Sequence, residues 1–295
     1  MAFVNAARIY CNWPKTSDIG RLILKRFRLW FTGGVCVGLL ALLAAPSQPR
    51  AATAEDQATD EKAADEAYGT IVGQLVLEGE IPQLKPLVVA GALGVNDPAI
   101  CAAADIPDDS LVIDRESKGI ANVFVYLPKA DKVHPKLKES EKKEVDFDQK
   151  GCRFIPHALF VRTDQVVLVK SSDNCAHNTR TVPLKNQPLN TSLAANDRTG
   201  VPFKNRIPER LPVKVECNIH GWMNARWLIL DHPYGTISDG QGKFKIADLP
   251  EGEHELVVWQ ERVGYIERKY KVSVVAGKMT DLGTIKVPAA KFDNK

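Results

Sequence analysis

Residues 215–223 read Val215-Glu216-Cys217-Asn218-Ile219-His220-Gly221-Trp222-Met223. A strand is expected over Val213–Cys217, so the thiol sits at a strand end, with an imidazole three residues later and a thioether three after that. Upstream, Asp173-Asn174-Cys175-Ala176-His177-Asn178 offers a second imidazole beside another expected strand end. Two His and one Cys with a weak Met are the donor set of an electron-transfer copper site, because thiolate and thioether are soft ligands. A short loop carrying three of the four donors, opposed by one from a neighbouring strand, keeps a similar geometry in both oxidation states. Structural zinc takes four Cys or His ligands and gains nothing from Met223. A binuclear copper centre would want a second Cys in the loop, and Asn218, Ile219 and Gly221 offer none.

Outward from this loop the chain reads as β structure. Strands are expected at Ile71–Leu77, Ala121–Leu127, Ala158–Arg162, Val166–Ser171 and Ala225–Leu230. After Pro233 the pattern tightens into hairpins. Asp239-Gly240-Gln241-Gly242 and Pro250-Glu251-Gly252 are turn sequences flanking Lys243–Ile246 and His254–Trp259, and Arg268–Val275 and Thr284–Val287 follow. Pro98, Pro107 and the small residues around them read as a long loop. Lys129–Lys150, dense in charges of both signs, reads as a solvated loop. No helix is expected after the leader, and the fold class is all-β.

Charge is unevenly spread. Seven basic residues and one acid fall in residues 1–54, which leaves 32 basic and 35 acidic residues in 55–295 and moves the net charge from +3 to −3. The basic pI therefore belongs largely to the leader and gives no reason to expect a nucleic-acid partner. Lys25-Arg26-Phe27-Arg28, the apolar run Leu29–Ala45 and the small-x-small site Ala52-Thr53-Ala54 read as a signal peptide over 1–54. An uncleaved anchor is the other reading, and membrane contact is expected only through it. Either way, the rest of the chain is expected outside the cytoplasm, in the periplasm or the extracellular space. Residues 55–68 are acidic and alanine-rich, too poor in apolar groups to repay ordering, and read as a flexible linker.

From about Phe154 to Leu230 the chain resembles the cupredoxins, the type 1 blue copper proteins, with a Cys-x-x-His-x-x-Met loop most like that of amicyanin. The resemblance is carried by Phe154-x-Pro156, Asp164-Gln165-Val166-Val167-Leu168, His177-Asn178 and the ligand loop. It implies a cupredoxin-like Greek-key β-sandwich binding one type 1 copper ion. His177, Cys217 and His220 would be equatorial ligands, Met223 axial, and Asn178 would pin the Cys-bearing loop by hydrogen bonding. The Cys-x-Phe-x-Pro-His stretch ending at His157 resembles exported methylamine-utilisation-like proteins, where His157 would be an extra or outer group or simply a strand-start histidine.

Tyr234–Val287 resembles a second small β-sandwich, of the carboxypeptidase-regulatory-like or rhamnogalacturonan-lyase-like kind. It does so through Thr236-x-Ser238-Asp239-x-x-Gly242-x-Phe244-x-Ile246-x-x-Leu249-Pro250-x-Gly252, then Leu256 and Trp259. Together these imply an N-terminal β segment over 69–148, a copper domain over 149–231, a second sandwich over 232–288 and a tail over 289–295. The N-terminal segment would add strands to one sandwich or the other.

After the leader the cysteines are Cys101, Cys152, Cys175 and Cys217. With Cys217 on copper, one disulfide is the maximum. Cys101–Cys152 is the preferred pair, leaving Cys175 as a small buried hydrophobe. Trp222 would cap the site or meet a redox partner, and Trp227 and Trp259 belong to cores. The function implied is electron transfer in the cell envelope with a redox partner protein. The alternative is a carbohydrate- or protein-binding module that uses the cupredoxin half as scaffold and an aromatic strip of Tyr234, Tyr265 and Tyr270. A copper enzyme would need a second metal cluster, and the remaining histidines (His134, His157, His232, His254) form no His-x-His pair.

Overall fold

The computed structural model describes residues 67–292; the expected leader and most of the acidic stretch lie outside the described residues. The fold is all-β. The first strand, β1 (Tyr68–Glu78), runs antiparallel to β13 (Lys243–Pro250) and parallel to β16 (Met279–Pro288). A four-stranded sheet orders β12 (Gly235–Ile237), β2 (Phe124–Tyr126), β14 (Gly252–Gln260) and β15 (Gly264–Val274). One apolar core draws on both sheets and includes Ile71, Leu75, Val125, Leu256, Val258 and Val287. Thus β1 and β2, from the N-terminal segment, pair with the C-terminal strands.

A second pair of sheets holds the candidate site. The larger orders β5 (Ala158–Arg162), β11 (Asn224–Leu230), β10 (Val213–Glu216), β7 (His177–Val182) and β8 (Asn190–Leu193). The smaller orders β4 (Phe154–Ile155), β3 (Glu144–Gln149), β6 (Val166–Val169) and β9 (Val201–Phe203). Phe147, Phe154, Val167, Val215 and Trp227 fill the core associated with them. Successive side chains of a strand point to opposite faces, and β11 buries both of its faces. Ala225, Trp227 and Ile229 join this core, whereas Leu228 and Leu230 pack with Phe124, Tyr126, Val257 and Trp259 of the neighbouring sheet.

The turn at 239–242 forms as its residues require, but it carries the chain from β12 in one sheet to β13 in the other and so closes no hairpin. Gly242 has φ +77°, and a Cβ there would sit 2.1 Å from the Leu75 carbonyl oxygen, so only glycine fits. Several expectations are corrected. The Lys129–Lys150 stretch is not all solvated loop: β3 crosses it with Phe147 and Gln149 fully buried. Its charges alternate with these inward residues and hid the strand, and one of them, Asp146, accepts a 2.6 Å hydrogen bond from Lys170 Nζ. Tyr68, assigned to the linker, begins β1. A one-turn helix, α1 (Pro98–Cys101), forms inside the long loop, with Pro98 in the first turn where a missing N–H costs nothing. Tyr234 is fully buried in the first core, so it cannot belong to an exposed aromatic strip.

Candidate metal centre

The ligand loop is the connection between β10 and β11, neighbouring antiparallel strands whose last pair is Glu216 opposite Asn224. Backbone bonds close it: the Cys217 N–H donates to the Met223 carbonyl (3.2 Å) and the Met223 N–H to the His220 carbonyl (2.9 Å). On the other side of β10 lies β7, paired from Arg180 opposite Glu216, which brings His177 at its first position to the mouth of the loop. Asn178 ties the two together. Its Oδ1 accepts from the Asn218 N–H (2.6 Å), and its own N–H donates to Cys217 Sγ (3.5 Å).

Three of the four candidate ligands converge. Cys217 Sγ and one ring nitrogen each of His177 and His220 lie within 4.8 Å of one another, all on buried residues. The two Nδ1 atoms are 2.9 Å apart, and His220 Nδ1 is 3.9 Å from Cys217 Sγ. The outer Nε2 atoms both meet carboxylates: His177 with Asp173 Oδ2 at 2.8 Å, His220 with Asp97 Oδ2 at 3.0 Å. A carboxylate accepts the Nε2–H and so leaves the Nδ1 lone pair for the interior. Two Nδ1 atoms so close beside a sulfur call for a cation between them, either a proton or a metal ion. Met223 is buried in the same apolar cluster as Cys217 and is held at the end of the loop by the two backbone bonds above.

The same contacts set the protonation of the donors. Burial alone would push the Cys217 thiol up, but hydrogen bonds from His177, His220 and two backbone amides outweigh it and bring the thiol to about 5. Burial likewise opposes charge on His177, and the Asp173 and Cys217 partners outweigh it, raising the imidazole to about 9. Both directions favour the thiolate of Cys217, the form that a soft metal takes up. For Asp173 burial is again outweighed, by His177 and by the Cys152 and Gly151 amides, so its carboxyl stays below the usual range. Cys175 differs: burial, then the Asp173 charge, push its thiol up to about 11, and it remains a free thiol.

Cys101 and Cys152 are bridged. Trp222 donates its Nε1–H to the Cys152 carbonyl (3.1 Å), with its ring 5.2 Å from that of His220. His157 stands outside the three-ligand group; its Nε2 pairs with Glu261 Oε2 at 3.0 Å. Two carboxylates that meet the candidate ligands carried no local signal. Asp173 appears in the quoted stretch without an assigned role, and Asp97 reaches His220 across 123 positions.

The chain matches no protein-family profile and no curated protein sequence. Solved structures similar to part of it include a Cu-containing nitrite reductase (NirK) from Thermus scotoductus SA-01, with TM-score 0.27 and 16% identity. That match covers 29% of this chain and 22% of the reductase, so the chain spans about a fifth of that protein. A purple cupredoxin from Nitrosopumilus maritimus matches with TM-score 0.23 and 15% identity, over 29% of this chain and 98% of that one. A point mutant of amicyanin in its Cu(I) form matches with TM-score 0.26 and 13% identity, over 31% of this chain and 86% of that one.

Proposed function

We propose that this chain is an exported electron-transfer protein of the cell envelope that holds one type 1 copper ion between His177, Cys217 and His220, with Met223 as axial ligand. The observation that carries the reading is the convergence of Cys217 Sγ with two inward Nδ1 atoms whose Nε2 partners are carboxylates. A buried thiolate and two imidazoles suit a soft metal, and Met223 adds a weak thioether donor where zinc would want a fourth Cys or His. Copper bound there supplies a one-electron couple. The protein's part is to keep the donors in place: Asn178 and the loop's backbone bonds hold Cys217, and Asp173 holds His177. Rigid donors reduce the rearrangement that accompanies each electron. The Cys101–Cys152 bridge suits an oxidising compartment outside the cytoplasm.

Two further groupings among the described residues, Cys152 with Asp173, Cys175 and His177, and Cys101 with Cys175 and His220, each share a histidine with the site. His157, His232 and His254 make separate contacts with Glu261, the Tyr234 amide and the Pro250 carbonyl. The proposed role is that of a carrier that exchanges electrons with a redox partner protein. The test is titration of the full metal-free chain with Cu(II), followed by visible absorption and paramagnetic resonance. An intense thiolate-to-copper band with small hyperfine splitting, at one equivalent, is the expected result. A colourless protein that binds no copper would leave the cupredoxin-like half as scaffold.

A further inference from the structure

Residues 88–109 lie between β1 and β2 in sequence, yet they pack on the other sandwich. Val88, Cys101, Ala102 and Ile106 join its core. The segment is a small built unit: the Ile106 N–H donates to the Val88 carbonyl at 2.8 Å, Asp105 Oδ1 accepts from the Ala90 N–H at 2.7 Å, and Cys101 is bridged to Cys152. Two adjacent residues reach the ligand loop. Asn96 Nδ2 donates to the Ile219 carbonyl (2.6 Å), and Asp97 Oδ2 meets His220 Nε2 (3.0 Å). Asp97 is itself held by backbone, since its carbonyl accepts from the N–H groups of Ile100 and Cys101 as α1 begins. The His220 side chain has no exposure, whereas the Asp97 side chain is 43% exposed, so the carboxylate carries that pair's contact with water.

We propose that Asp97 is a positioning residue of the metal centre: presented by a disulfide-stapled cap, it fixes the tautomer and orientation of His220 and lowers the reduction potential of copper bound there. The inference rests on the copper reading above. A carboxylate behind a ligating imidazole makes the imidazole more basic, and its negative charge favours Cu(II) over Cu(I). Removing such a partner elsewhere costs about 10- to 100-fold in metal affinity.

The test uses the full chain and separates the hydrogen bond, the charge and the cap. In the metal-free protein, ring-nitrogen NMR should show His220 protonated at Nε2, and Asp97→Ala should shift that resonance and populate the other tautomer. In the copper-loaded protein, Asp97→Ala should lower Cu(II) affinity about 10- to 100-fold and raise the potential. Asp97→Asn keeps an acceptor and loses the charge, so the His220 tautomer stays while Cu(II) affinity falls less than in Asp97→Ala and the potential still rises. Asp105→Ala loosens the cap away from the ligand loop and should leave the potential where it was. An Asp97→Ala protein with unchanged potential and unchanged His220 tautomer would overturn the proposal. If the unmodified chain binds no copper, the copper reading and the effect on potential fail together, and the metal-free NMR still decides whether Asp97 orients His220.

Discussion

The sandwich built on β1 and β14 and the ligand end of its neighbour are both buried, but by opposite means. The first is filled with Ile71, Leu75, Leu256, Val258, Val272 and Val287, and its polar groups are chiefly backbone engaged in ladders. The second buries His177, His220, Asp173 and the Cys217 sulfur, groups that cost heavily when left unpartnered. They are tolerated because each meets another: imidazoles with carboxylates, carboxylate with amides, sulfur with N–H groups. An apolar core loses stability in proportion to what is removed. A polar constellation loses function first, because its members have no meaning apart.

The contrast is open to direct attack, starting where the effect is largest. Cys217→Ala should abolish tight Cu(II) binding and the thiolate band while circular dichroism keeps its β signature; a variant with the unaltered metal spectrum would refute the ligand assignment. In the other sandwich, Leu256→Ala should cost about 3 kcal/mol in denaturant unfolding, as a buried leucine truncation does, and leave the copper spectrum unchanged. A spectral change there would mean that the two cores are not separable. Met223→Leu retains the apolar volume, so stability should move by less than about 1.5 kcal/mol and copper should still bind. The potential should shift, since the axial thioether tunes the couple, and an unshifted potential would exclude an axial role.

The smallest effect concerns His232, outside both sites. Burial first, then the Arg162 charge, lower its pKa against the opposing Asp231, so the folded protein resists protonating it. Its contribution to stability is complete above about pH 6.5, the ordinary histidine value. It declines as the pH falls through the lowered folded value, because the unfolded chain takes up the proton first. The slope from this one residue is at most about 1.4 kcal/mol per pH unit. His232→Asn should flatten that part of the stability profile; an identical slope would show that the burial of His232 is not felt.

The ease of reading followed the same division. Alternation, turn glycines and β-branched runs announced β5 at its observed bounds and the turn at 239–242, though not that this turn passes between two sheets. The ligand loop was legible because three of its donors lie within seven residues of one strand connection. What escaped was structure whose cause is remote. His177–Val182 carries a polar sequence with no apolar alternation, and it becomes β7 because β10 and β8 lie on either side. Asp97 has no neighbour that marks it; its role exists only once Cys101–Cys152 and α1 have carried it across to His220.

One consequence of the two-sided burial of β11 reaches the loop before it. A slip of one position would drive Trp227 toward the space of Leu228 and Leu230, and the leucines into a cavity shaped for an indole. The strand is therefore clamped like a rail between two plates, and Asn224 must stand opposite Glu216 whatever lies between them. The seven residues from Cys217 to Met223 are in effect an interchangeable part on a fixed mount. Loops of other lengths could be grafted there to change the donors of the candidate site while the frame keeps its registration.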